Sequence, residues 1–103
     1  MALSGVIKSA SVVGTPKPGD ALKLRVVYDV KATENEAPWT IAVAAFDGTT
    51  LIGWDNTTEW VYNTLTNWPV EFTCSIKMPS APKTIGLELY AHPDSGKKIE
   101  EYL

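Results

Sequence analysis

Side chains with intrinsic reactivity are few in this chain and stand apart. Cys74 is the only cysteine and His92 the only histidine, so no intrachain disulfide can close and the thiolate and imidazole sets of a zinc site cannot be assembled. A nucleophilic Cys74 would need a stabilised thiolate. Instead it falls in phase with Phe72 and Ile76 on the inward parity of an alternating segment, where burial raises a thiol pKa. His92 is followed by Pro93 and Asp94, which places it where a strand enters a turn, as a surface imidazole. No Gly-x-Ser-x-Gly elbow is present. The sequence assigns no catalytic residue, no metal ligand and no cofactor, and the expectation is a protein that is not an enzyme.

Carboxylates and aromatic rings are the remaining candidates. Glu34, Glu36, Asp47, Asp55 and Glu59 gather in expected loops, but without the Asp-x-Asn-x-Asp-Gly spacing of a calcium loop they read as solvated. Asn56-Thr57-Thr58 matches a glycosylation acceptor, which has meaning only on a secretory route. Of the four tryptophans, Trp68 opens an inward series and Trp39 heads a central strand, where it can fill the role of a sandwich's packing tryptophan. Trp54 and Trp60 bracket a polar connection, Asp55 to Glu59, and with Tyr62 they form a candidate ligand surface of rings beside carboxylates and amides. Such a set suits sugars, whose C–H faces stack on aromatic rings while their hydroxyls find acceptors. The alternative is that both tryptophans cap the ends of the domain or sit in a subunit contact, where tryptophan is enriched.

The elements that must position these residues follow from turn signals and alternation. Gly5 to Val13 is a β-branched run ended by Gly14-Thr15-Pro16-Lys17-Pro18-Gly19-Asp20. From Leu22 to Val30 the even positions are apolar, while Lys23, Arg25, Asp29 and Lys31 fall on the opposite, solvent face with Val27 as an exception. Thr33 to Pro38 reads as a loop. Trp39 to Phe46 is apolar on both parities, which suits a central strand or a strand at a partner contact. Asp47-Gly48 marks a tight hairpin from which Thr49 to Trp54 runs back; after the polar connection, Glu59 to Tyr62 forms a short edge strand. Alternation resumes over Trp68 to Met78 and over Ile85 to Ala91, and a last strand is expected near Lys98 to Leu103. No helical stripe persists over three turns.

Seven or eight strands without a helix predict an all-β protein, an immunoglobulin-like antiparallel β-sandwich, in which the two longest alternating strands, Leu22 to Val30 and Trp68 to Met78, can cover each other's apolar faces. A small closed barrel is the competing architecture. The 103 residues are enough for a single domain over 1–103 that holds by packing alone. Nine basic against twelve acidic side chains give a net charge of −3, a poor basis for nucleic-acid binding. The longest apolar run is too short to cross a bilayer, so no membrane insertion is expected. Localisation stays open: a natural start at Met1 implies a reducing cell or a particle, and an excised domain allows a secreted parent.

The stretch Pro18-Gly19-Asp20-Ala21-Leu22-Lys23-Leu24-Arg25-Val26, then Trp39-Thr40-Ile41-Ala42-Val43 and Asp47-Gly48, resembles bacterial and archaeal immunoglobulin-like modules of the cell-adhesion-related (CARDB) type. The likeness covers Val6 to Ala91; it departs at Lys31-Ala32-Thr33 and in the Gly96 to Leu103 ending. It implies a structural or adhesion module of a cell surface or virion, whose partner is another protein, or a second copy met through an edge strand. The alternative is a carbohydrate-binding module using Trp54, Trp60, Tyr62, Asp55 and Glu59, with a glycan as partner.

Overall fold

The computed structural model describes residues 3–32, 37–62, 64–93 and 100–101. Its strands are β1 (Leu3–Val12), β2 (Ala21–Ala32), β3 (Ala37–Asp47), β4 (Thr50–Val61), β5 (Thr66–Lys77), β6 (Gly86–Pro93) and the two-residue β7 (Glu100–Glu101). Six are therefore full strands, one fewer than the lower expected number, and the described residues contain no helix. All pairings are antiparallel, in a three-stranded sheet of order β1-β2-β5 and a four-stranded sheet of order β4-β3-β6-β7. The expected loop carrying Glu34 and Glu36, and most of the segment after Pro93, lie outside the described residues.

The alternation read from the sequence decides which faces meet. Leu22, Leu24, Val26, Tyr28 and Val30 of β2 are all buried, as are Val70, Phe72 and Cys74 of β5, and they pack with Trp39, Ile41, Val43 and Ala45 of β3 and Leu89 and Ala91 of β6. Two apolar faces thus cover each other as a β-sandwich, but not those of the two strands expected to do so: β2 and β5 are hydrogen-bonded neighbours in one sheet, Val26 opposite Val70, and their shared face covers β3 and β6. Trp39 is fully enclosed; an aromatic of this size withdraws about 150–250 Å² from water, about 4 kcal/mol or more of favourable transfer. β3 is buried on both parities because β4 and β6 flank it and their outer side chains cover Ala42 (4% exposed) and Ala44 (7%).

Two glycines let the sheets approach at their long edges. A Cβ on Gly53 of β4 would lie 3.0 Å from Phe72 Cδ2 and 3.3 Å from Cys74 Cα, and one on Gly5 of β1 would lie 2.9 Å from Leu89 Cδ2. The β3–β4 hairpin pairs Asp47 with Thr50. Its two-residue loop is therefore Gly48-Thr49, one residue later than the Asp47-Gly48 centre expected. Gly48 takes a φ of 63° and no other residue type is left-handed among those described, the pattern of a type II′ turn.

Two expectations are corrected here. Asp55 to Thr58 is not a connection, because β4 runs unbroken through it in register with β3, Val43 facing Asp55 and Thr40 facing Thr58. The hairpin fixes that register, and β-branched Thr57 and Thr58 suit an extended edge. Asp29 sits on the outer parity as expected but is only 6% exposed. Asn67 Nδ2 donates to its Oδ1 at 2.8 Å, and Lys8 Nζ, at a β1 bulge, stands 3.9 Å from its Oδ2.

Candidate functional site

β4 is an edge strand, and its parity sorts the five candidate residues into two groups. Trp54, Asn56, Thr58 and Trp60 share the register positions facing Ala44, Ala42, Thr40 and Pro38 of β3. They belong to the outer face of the four-stranded sheet; Tyr62 follows the end of β4, and its C=O accepts from the Ala32 N–H of the three-stranded sheet at 2.8 Å. Asp55, Thr57 and Glu59 alternate with them on the parity of Val43, Ile41 and Trp39, toward the other sheet. The structure therefore brings Trp54 and Trp60 onto one face, leaves Tyr62 just past the end of the strand, and places Asp55 and Glu59 on the opposite side of the same strand.

The rings are accessible. Trp54 is 54% exposed, Trp60 49% and Tyr62 41%. Six residues of extended chain separate the tryptophans by about 20 Å. Asn56 and Thr58 lie between them, and Thr58 Oγ1 shares a hydrogen bond with Thr40 Oγ1 at 3.2 Å. The floor beside this row is made of small side chains, Ala42 and Ala44, and Tyr90 of β6 rises beyond it opposite Ala42. At the hairpin end the same face continues into a depression of about 470 Å³ lined by Phe46, Gly48, Thr49, Gly86, Leu87, Glu88 and Tyr90. A second hollow of about 480 Å³, between Val12, Leu22, Met78 and the Pro79–Ile85 connection, lies at this same end of the sandwich, where Lys83 of its lining reaches Asp47 of the hairpin. Each holds a single charged side chain, Glu88 in one and Lys83 in the other, so neither presents an acid–base pair to a reactant.

The inward-parity residues of β4 have structural partners. Thr57 Oγ1 shares a hydrogen bond with the buried Tyr28 hydroxyl at 3.3 Å. Desolvation raises the Tyr28 phenol above its ordinary value; the Thr57 hydrogen bond acts the other way, and the Glu59 charge adds to the rise. Asp55 Oδ1 accepts from the backbone N–H of Asn56 at 2.8 Å. Asp47, once grouped with these acids, pairs instead with Lys83 Nζ at 3.0 Å. No group of three or more His, Cys, Asp or Glu side chains able to hold a metal ion occurs among the described residues.

The remaining reactive candidates are placed by the sheets as well. Cys74 is 7% exposed, and burial pushes its thiol pKa up, which disfavours the thiolate. His92 occupies β6 opposite Thr40 in the β3 ladder, within the strand and not beyond its end; its imidazole lies outside the described side chains. The even spacing of positions 54 and 60 is the sequence signal for two rings on one face, and it becomes readable once the strand runs through Asp55–Thr58. No protein-family model, no curated protein and no solved structure matches this chain.

Proposed function

We propose that the chain is a non-enzymatic, immunoglobulin-like interaction module that meets a protein partner through the outer face of its four-stranded sheet. The observation that carries this reading is the pair of half-exposed rings, Trp54 and Trp60, on one face beside small residues, with Tyr62 exposed just past the end of the strand. Tryptophan and tyrosine anchor protein contacts because they bury large area at low entropic cost. The strand order supports the immunoglobulin-like assignment: β3, β4 and β5 follow one another around the sandwich and β6 returns beside β3, a Greek-key path. This is also the architecture implied by the CARDB-type resemblance.

A photo-cross-linking side chain at Thr58, between the rings, should trap a discrete partner in the native cells. The adduct should vanish when Trp54→Ala and Trp60→Ala are added, and a cross-linker at Thr73 on the opposite outer face should give none. Equal labelling from both positions would sink the proposal.

A second reading, glycan binding, rests on the neutral hydrogen-bonding groups between the rings, Asn56, Thr58 and Thr40, which suit uncharged hydroxyl-rich ligands. Electrophoresis through gels containing neutral polysaccharides separates the two readings. Retardation of the parent protein that Trp54→Ala abolishes would favour the glycan, and unchanged mobility throughout would remove it.

A further inference from the structure

We propose that β4 is a pairing edge for a second copy of this chain, held shut by the two acids on its inward parity, Asp55 and Glu59. Among the described residues β4 has a ladder neighbour on one side only. The two-residue hairpin makes Asp47 and Thr50 a hydrogen-bonded pair, and counting along the ladder past the irregularity at Ala45/Phe46 leaves Trp54, Asn56, Thr58 and Trp60 in non-hydrogen-bonded pairs with β3. Their N–H and C=O groups therefore point away from β3. The Asn56 amide agrees: its N–H donates at 2.8 Å to Asp55 Oδ1, so a carboxylate occupies the middle of the edge where another strand would have to bond.

A two-fold antiparallel pairing must match open-edge residues with open-edge residues. With the dyad through Thr57, Asn56 faces Thr58 of the second copy and Trp54 faces its Trp60, giving two tryptophan rungs on the outer face. Aromatic cross-strand pairs stabilise a sheet. The same register sets Asp55 of each copy against Glu59 of the other in non-hydrogen-bonded pairs, where Cα atoms approach to about 4.5 Å and like charges repel. Moving the dyad to Asn56 or Thr58 separates the acids but breaks both tryptophan rungs. Every one of these registers also takes the Asn56 N–H away from Asp55. Inward-facing charge is a recognised guard of an open edge, and here the register shows which pairing it opposes.

The test is a charge-swap series followed by sedimentation velocity, with circular dichroism and thermal melts to confirm folding. Glu59→Lys converts both acid–acid contacts of the Thr57-centred dimer into opposite-charge pairs. Asp55→Lys combined with Glu59→Lys makes them alike again. Each swap moves the net charge of −3 by two units, so the single and double variants carry equal and opposite net charges and differ in pairing, not in overall repulsion. The expected result is a monomeric parent, a Glu59→Lys variant whose association constant rises about tenfold to a hundredfold, and a double variant that returns to the parent's behaviour. Should Glu59→Lys not fold, Asp55→Lys alone makes the same conversion from the other side. A parent that already dimerises through β4, association of single and double variants to the same extent, or no association in either single swap would each overturn the proposal.

Discussion

The two outer faces of the sandwich are built on the same alternating strands but differ in how their side chains are satisfied. On the three-stranded sheet, Glu71 accepts from Arg25 at 3.0 Å and stands 3.3 Å from Lys23 Nζ, while Asn67 and Lys8 attend the buried Asp29. On the outer face of the four-stranded sheet the only charged side chain among those described is Glu88; the rest are rings, threonines, an asparagine, alanines, Leu51, Pro38 and Gly86. The first face spends its polarity on itself and on water. The second leaves ring area uncovered, and it is the face on which the proposed contact is placed.

If the faces differ only in surface chemistry, the core between them should respond to substitution much more strongly than either. Phe72→Ala empties a side chain that is 6% exposed and should cost about 3–5 kcal/mol in urea unfolding. A smaller effect is expected on the charged face. Asn67→Ala strips Asp29 of its hydrogen-bond donor and should cost about 1–3 kcal/mol, and a neutral result would mean that Asp29 is not buried there.

Glu71 should show itself through pH. Hydrogen bonds from Arg25 and then Lys23 hold its carboxyl below the ordinary glutamate value. A depressed folded pKa contributes stability above the unfolded value that is lost as pH falls through the folded one. Glu71→Gln should therefore flatten the acid limb of a urea-midpoint profile and leave the alkaline limb unchanged. Smallest of all should be Trp54→Ala and Trp60→Ala, within about 0.5 kcal/mol of the parent. A loss as large as that of Phe72→Ala would mean that these rings serve the fold and not a contact.

How much of this was legible in the sequence depended on burial. β2 and β5 have one face in the core, so Leu22 to Val30 and Val70 to Cys74 show their alternation plainly, and a one-residue slip would turn every apolar group outward. β3 was readable for the opposite reason, being apolar on both parities between two neighbours. β4 was not. Paired on one side, it has Asp55, Asn56 and Thr58 all exposed, and nothing in such composition distinguishes an edge strand from a loop. The error carried into the candidate site: as a connection, Asp55 to Glu59 let rings and carboxylates gather, whereas as a strand it sends them to opposite sides. Burial of Asp29 was hidden too, because its cover comes from Asn67, distant in sequence.

The most direct test of the account uses the four tryptophans as reporters. In a ¹H–¹⁵N spectrum of the labelled protein, a soluble paramagnetic agent broadens indole N–H signals that water can reach. Trp39 Nε1 and Trp68 Nε1 are buried, whereas Trp54 and Trp60 are about half exposed. The account predicts two signals lost, assigned by substitution to Trp54 and Trp60, and two retained. Protection of Trp54 and Trp60, or rapid loss of Trp39, would contradict it.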